Sequence, residues 1–147
     1  MLTRFILFSI LLISLGCETV SDELSFDRVP KIRIVEASHN TLVQFQDSLV
    51  LKIEYEDGDG DLGTSNPDVN SIFVQDSRLE NPDEYYLPPL APESSTVSIT
   101  GTFNLVLLPT FLLGNGTEEK VIFSIKLFDR AGNVSNEVET EEITVVE

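Results

Sequence analysis

The sequence has almost none of the residue types that form disulfides, zinc sites or nucleophile–histidine pairs. It contains 1 cysteine, 1 histidine and no tryptophan among 147 residues. A single cysteine excludes an intrachain disulfide, and one histidine is too few for a Cys/His zinc centre. Basic residues are also scarce, with 9 Lys and Arg against 25 Asp and Glu and a formal net charge of −16. Such a surface repels polyanions, so we expect no nucleic-acid partner.

Patterns typical of catalysis are equally scarce. His39 lies in the polar stretch EASHNT, and no Gly-x-Ser-x-Gly motif accompanies it. The many acidic residues offer carboxylate pairs everywhere, but none is singled out by its setting. We therefore expect no enzymatic activity. The acidity itself has two compatible explanations, which are solubility and affinity for divalent cations.

The N-terminal segment MLTRFILFSILLISLGC has the features of a secretion signal. Arg4 provides a positive start, and the apolar run from Phe5 to Leu15 is too short to span a bilayer, which takes about 20 residues. The segment ends in SLGC, which resembles a bacterial lipobox. The resemblance implies cleavage after Gly16 and lipidation of Cys17. An ordinary secretory signal with a coincidental cysteine is the alternative.

These features divide the chain into three parts. We expect a lipoprotein signal peptide at 1–16, a flexible tether at 17–30, which lacks the hydrophobic period of a helix, and one folded domain at 31–147. A lipidated Cys17 would anchor the chain in the bacterial outer membrane. The acidic residues that follow loosely resemble a surface-export signal, which leaves the periplasmic and the surface-exposed face both open.

The folded part shows the period-two alternation of half-buried strands. Leu49, Leu51, Ile53 and Tyr55 share one face of their segment, and KVIFSIKLFD alternates in the same way. No segment has the pattern of a long amphipathic helix. The alternating runs predict strands at 31–36, 48–56, 71–76, 85–88, 95–107, 120–129 and 134–146.

Seven short strands separated by turn residues predict an all-β fold, a single antiparallel β-sandwich. Gly101 lies within a long β-rich run, where it predicts a bulge or bend. Four aromatic residues are expected in the core: Phe103, Phe111, Phe123 and Phe128.

The C-terminal stretch IKLFDRAGNVSNEVETEEITV resembles the last hairpin of bacterial immunoglobulin-like domains. In those domains a strand ends in Asp, an Ala-Gly-Asn turn follows, and a Ser/Asn-rich strand returns. With YEDGDGDLG, the chain is similar to Bacteroidota lipoproteins that carry one immunoglobulin-like or cadherin-like sandwich. The resemblance covers most of the mature chain. It implies the fold and a cell-envelope location but little about activity, because sandwiches host many functions.

The stretch EYEDGDGDLGTSNPD places Asp57, Asp59 and Asp61 within five residues. The glycines between them allow the backbone to curl, so that the carboxylates can converge. Calcium takes about six to eight oxygen ligands, and a divalent ion removes the repulsion between the carboxylates. The loop therefore predicts a structural calcium ion. A solvated turn without metal is the alternative.

The spacing D-x-D-x-D resembles the first half of an EF-hand loop, but the sixth position is Leu62 and both flanks are predicted strands. A loop site on a sandwich is therefore expected instead, and it more closely resembles those of cadherin-like or thrombospondin-repeat modules. In an antiparallel Greek key, the loops after the second and sixth strands share one pole, which makes Asp129 the predicted fourth metal ligand. Glu56 and Asp68 are weaker candidates, and Leu62 is expected to close the end of the sandwich.

The sequence offers one exposed-looking aromatic pair, Tyr85 and Tyr86 in NPDEYYLPPL. The pair predicts either a ligand surface for a glycan or protein, or a loop packed on the edge of the sandwich. Sugar sites favour tryptophan, which is absent. We therefore expect a lipid-anchored binding or scaffold module. A glycan-binding accessory lipoprotein of a polysaccharide-uptake system is the alternative.

Overall fold

The computed structural model describes residues 26–147, which form ten β-strands and no helix. No helix among these residues is long and apolar enough to cross a membrane. The predicted signal peptide, Cys17 and the tether up to residue 25 lie outside the described residues. The strands are β1 (Lys31–Ala37), β2 (Thr41–Val43), β3 (Leu49–Asp57), β4 (Ile72–Asp76), β5 (Asp83–Tyr85), β6 (Ile99–Leu107), β7 (Glu118–Val121), β8 (Phe123–Leu127), β9 (Val138–Glu139) and β10 (Ile143–Val146).

The strands form three sheets that pack together into a sandwich. Their orders are β1-β3-β6, β2-β10-β7 and β5-β4-β8-β9. Every pairing is antiparallel except that of β2 with β10, which is parallel. The all-β sandwich predicted from the alternating pattern is confirmed.

The core follows the predicted period of two. In β3 the four apolar residues Leu49, Leu51, Ile53 and Tyr55 are buried, and the residues between them are partly or fully exposed. Strand β8 buries every second residue in the same way. Each such apolar side chain contributes roughly 1.5–3 kcal/mol on burial. The two alternating strands therefore supply much of the interior that holds the loops in place.

Two predicted strands change sheet part-way along their length. The run 120–129 is interrupted at Ile122, so that β7 pairs with β10 while β8 pairs with β4. At this break Ser77 donates its N–H to the Ile122 carbonyl, and the Ile122 N–H donates to Ser77 Oγ. The final run divides likewise into β9, which pairs with β8, and β10. Alternation along one strand does not reveal such a change of partner.

Three local expectations were wrong. Phe128 is only partly buried and packs against Phe73 rather than in the core, with ring centroids 4.7 Å apart. Gly101 lies in regular register opposite Tyr55, and the irregularity of this sheet falls between Ile34 and Glu36. A side chain at Gly101 would come within 3.0 Å of the Tyr55 hydroxyl, so the glycine makes room for that ring. Phe111 is 45% exposed rather than in the core, and it stacks on Phe45 with ring centroids 5.5 Å apart.

Candidate metal centre

The acidic loop begins at the last residue of β3, and the side chain of that residue folds back into the loop. Asp57 is fully buried. Its Oδ2 accepts hydrogen bonds from the backbone N–H groups of Asp61 (2.9 Å) and Leu62 (3.2 Å). One carboxylate oxygen thus closes the turn, and the other is left for a different partner.

Two glycines permit the tight path of this loop. Gly60 and Gly63 have φ values of +72° and +76°, in the left-handed region that side chains other than glycine rarely adopt. A Cβ at either position would also come closer than 3.0 Å to a backbone carbonyl, of Val97 and Pro88 respectively. Leu62, between them, is fully buried, as expected of a residue that closes the end of the sandwich.

The three predicted carboxylates converge. Asp57, Asp59 and Asp61 each offer one oxygen, and these oxygens lie within 4.8 Å of one another. Two oxygens bound to one calcium ion at about 2.4 Å are at most about 4.8 Å apart, so this spacing is compatible with a shared ion.

The Oδ1 atoms of the same three residues are buried and have no hydrogen-bond partner among residues 26–147. A buried acceptor without a partner costs about 1–3 kcal/mol, and more when it is charged. A cation shared by the three Oδ1 atoms would remove this cost. The trio, defined as Asp57, Asp59 and Asp61, could therefore hold a metal ion.

The negative charges of the trio repel one another in the absence of a cation. Burial raises the pKa of Asp61 to about 6, and the nearby carboxylates of Asp129, Asp59 and Asp57 act in the same direction. Burial also raises the pKa of Asp57, with a further contribution from Asp59, although backbone N–H groups counteract it. A bound cation would favour the charged forms and reverse both effects.

A second loop, between β8 and β9, meets the acidic loop at the same pole. Leu62 and Asp129 form an antiparallel bridge. The N–H of Ala131 donates to Asp61 Oδ2 (2.9 Å), and the N–H of Arg130 donates to the Asp61 carbonyl (3.2 Å). The Arg130 guanidinium donates to the Gly63 carbonyl (2.7 Å) and more distantly to the Gly60 carbonyl (3.4 Å). The two loops therefore share one pole, as the predicted topology required.

Asp129 is buried at this pole, but both of its carboxylate oxygens are engaged within its own loop. Oδ1 accepts the backbone N–H of Asn133, and Oδ2 accepts the Asn133 side-chain amide, each at 2.7 Å. Asp129 is not a member of the trio found in the described part of the chain. Its role as a fourth ligand stays a prediction. Glu56 and Asp68, the weaker candidates, are exposed.

Tyr85 and Tyr86 face different surroundings. Tyr85 is half-buried against the core, and burial raises the pKa of its hydroxyl, with a further contribution from Asp83. Tyr86 is 37% exposed, and its hydroxyl donates to the Thr64 carbonyl at 2.8 Å. The packed alternative accounts for these contacts, and the predicted ligand surface stays a prediction.

The features at the opposite end of β3 were not predicted from the sequence. There Phe45, with φ +58° and 68% exposed, stacks on Phe111. Arg78 fixes the neighbouring loop by donating to Thr110 Oγ1 and to the Phe111 carbonyl. Arg78 also forms an ion pair with Asp76 (2.7 Å). The only sequence signal for this pair is that the two residues are two positions apart.

Comparisons of the chain with protein-family models, curated proteins and solved structures give no match.

Proposed function

We propose that this chain is a lipid-anchored, non-enzymatic binding or scaffold module of the bacterial cell envelope whose trio holds a structural calcium ion. The observation that carries the proposal is the group of three buried, unpartnered Oδ1 atoms on converging carboxylates among the described residues. Calcium suits this donor set because it binds carboxylate oxygens on curled loops at about 2.3–2.6 Å.

The ion would stiffen the pole rather than carry out chemistry. Asp57 and Asp61 each already use Oδ2 to accept backbone N–H groups. Their Oδ1 atoms would bind the ion, so that each carboxylate would join the metal to the backbone of one loop. Through the Ala131 contact to Asp61, the ion would also connect the β3–β4 and β8–β9 loops.

Thermal unfolding in calcium and in chelator tests the metal site. At the affinities of extracellular modules, about 10⁻⁴–10⁻³ M, millimolar calcium adds about 1–2 kcal/mol by mass action. For a domain of this size that raises the Tm by about 5 °C.

Matched amide variants make the thermal test specific. Asp59→Asn removes a trio charge with little change of shape, so the calcium-dependent rise is expected to vanish. Asp68→Asn removes an exposed charge from the same loop, so the rise is expected to remain. The same Tm with calcium and with chelator in the unaltered protein would contradict the calcium site.

The lipid anchor is supported by the SLGC pattern, which places the lone cysteine at the end of an apolar signal. In a bacterial host, the unaltered chain is expected in the membrane fraction, and Cys17→Ser in the soluble fraction. Mass spectrometry of the N-terminal peptide would identify the added acyl chains. An unmodified Cys17 in the mature protein would contradict the anchor and leave the metal site untouched.

A further inference from the structure

The segment that precedes β1 lies directly against the acidic loop that follows β3. The N–H of Gly58 donates to the Asp27 carbonyl at 2.8 Å. A Cβ at Gly58 would come closer than 3.0 Å to the carbonyl oxygens of Phe26 and Asp27, so only glycine allows the two backbones this approach. A few residues on, Pro30 is buried. The leading segment, defined as residues 26–30, is therefore docked on the body of the domain.

Gly58 is also the residue that joins two members of the trio. It lies between Asp57 and Asp59, and its carbonyl accepts a hydrogen bond from Ser98 Oγ at 3.0 Å. The orientation of its N–H depends on how the two flanking aspartates are held. Without a cation, the repulsion between neighbouring carboxylates favours a more open loop. With a cation, both aspartates and the two peptide groups that join them through Gly58 are fixed.

We propose that the cation bound by the trio also fastens the leading segment, so that metal occupancy controls whether residues 26–30 are docked or released. The inference rests on the calcium site proposed above and adds a second, linked equilibrium to it. Because coupling is reciprocal, docking of the segment strengthens metal binding by the same factor by which metal strengthens docking.

Docking of the leading segment limits the distance between the domain and a lipid anchor at Cys17. The roughly nine residues from Cys17 to Phe26 reach at most about 30 Å when fully extended. Release as far as Lys31 adds about five residues, or about 17 Å. In the calcium-bound protein, the metal pole is therefore held towards the membrane, and calcium loss lengthens the connection.

Tryptic cleavage after Arg28 measures the docking of the segment. Arg28 is exposed and adjoins Asp27, whose carbonyl is bonded to Gly58. A protease needs an extended segment, so cleavage follows the population of the released form. With the full chain in detergent, we expect saturating calcium to slow cleavage after Arg28 by about tenfold relative to chelator, within the usual range of coupling between two sites. The product is followed by mass spectrometry.

Two variants separate docking from metal binding. Asp59→Asn is expected to be cleaved equally fast in calcium and in chelator, which also controls for effects of calcium on the protease. Gly58→Ala is expected to be cleaved fast in both conditions while it still binds calcium, with an affinity weakened by the coupling factor.

Calorimetric titration with calcium distinguishes the possible failures. If the unaltered chain binds calcium but its cleavage rate after Arg28 does not change, the coupling is overturned and the metal site stands. If the chain binds no calcium, both the metal site and the coupling are overturned.

Discussion

At the scale of single residues, the molecule is most unusual in three aspartates that each leave one buried oxygen unpartnered among residues 26–147. Asp57 shows the division most clearly, because Oδ2 accepts two backbone N–H groups while Oδ1 has no donor within the described range. A plain solvated turn would leave such oxygens in water. Here the fold removes them from water, which favours a cation as the missing partner.

The pKa shifts predict how the stability of the metal-free protein depends on pH. In the folded state the pKa of Asp61 is about 6, against an ordinary value of 3.8. Between about pH 4 and pH 6 Asp61 therefore binds more protons in the folded state than in the unfolded state, and its contribution to the free energy of unfolding falls as the pH rises. Urea unfolding at several pH values in metal-free buffer measures this slope.

A matched variant assigns the slope to the loop. Asp61→Asn removes the group that titrates, so its slope between about pH 4 and pH 6 is expected to be shallower than that of the unaltered protein. Saturating calcium is expected to oppose the fall, since the ion favours the charged carboxylates. Equal slopes in the variant and the unaltered protein would contradict this assignment.

The glycines of the loop allow a second prediction at this scale. Gly63→Ala places a side chain in the left-handed region and against the Pro88 carbonyl, so we expect a loss of at least about 2 kcal/mol in the free energy of unfolding.

Gly132→Ala is the control, because Gly132 has φ +89° but a Cβ added there would meet no atom within 4 Å. It is expected to lose only the backbone contribution, about 1 kcal/mol. Chemical denaturation compares the two variants. If both variants lose the same free energy of unfolding, the close approach to the Pro88 carbonyl contributes nothing to the loss.

At the scale of elements, the sequence predicts strands well where side chains alternate between core and solvent. Strands β1, β3 and β4 begin and end within about one residue of their predicted positions. The period of two is unbroken in β3 and β4, and in β1 it holds as far as Ile34, where the register shifts. Strand β2 was missed because three residues carry no period. The breaks at Ile122 and before Ile143 were missed because a change of sheet depends on partners distant in sequence.

The Arg78 cluster is an element-scale feature that joins the end of β4 to two distant segments. Arg78 pairs with Asp76 (2.7 Å) and Glu119 (2.9 Å), and its side chain is only 12% exposed. Arg78→Met leaves the buried Asp76 carboxylate without a cationic partner, so we expect a loss of about 3 kcal/mol in the free energy of unfolding.

Arg33→Met is the matched control, because Arg33 and Glu54 form an ion pair that is 66% and 40% exposed. An exposed pair contributes about 0.2–1 kcal/mol, so this variant should remain close to the unaltered protein. Urea unfolding measures both. Equal losses of unfolding free energy in the two variants would show that the Arg78 ion pairs stabilise the fold no more than an exposed pair does.

At the scale of the whole molecule, the pole is assembled from segments that are far apart in sequence. The trio itself is local, so the D-x-D-x-D spacing was sufficient to predict it. The contacts of Ala131 and Arg130 with the loop, and the docking of Asp27 on Gly58, depend on tertiary packing that spacing does not encode. The shared pole followed only from the predicted topology.

The central proposal is that the three converging carboxylates bind one divalent cation. Anomalous diffraction from crystals grown in about 10 mM calcium, well above the dissociation constants of extracellular modules, tests it most directly. We expect a peak about 2.3–2.6 Å from a carboxylate oxygen of each of Asp57, Asp59 and Asp61. No peak there, with the three side chains directed apart into solvent, would contradict the metal site.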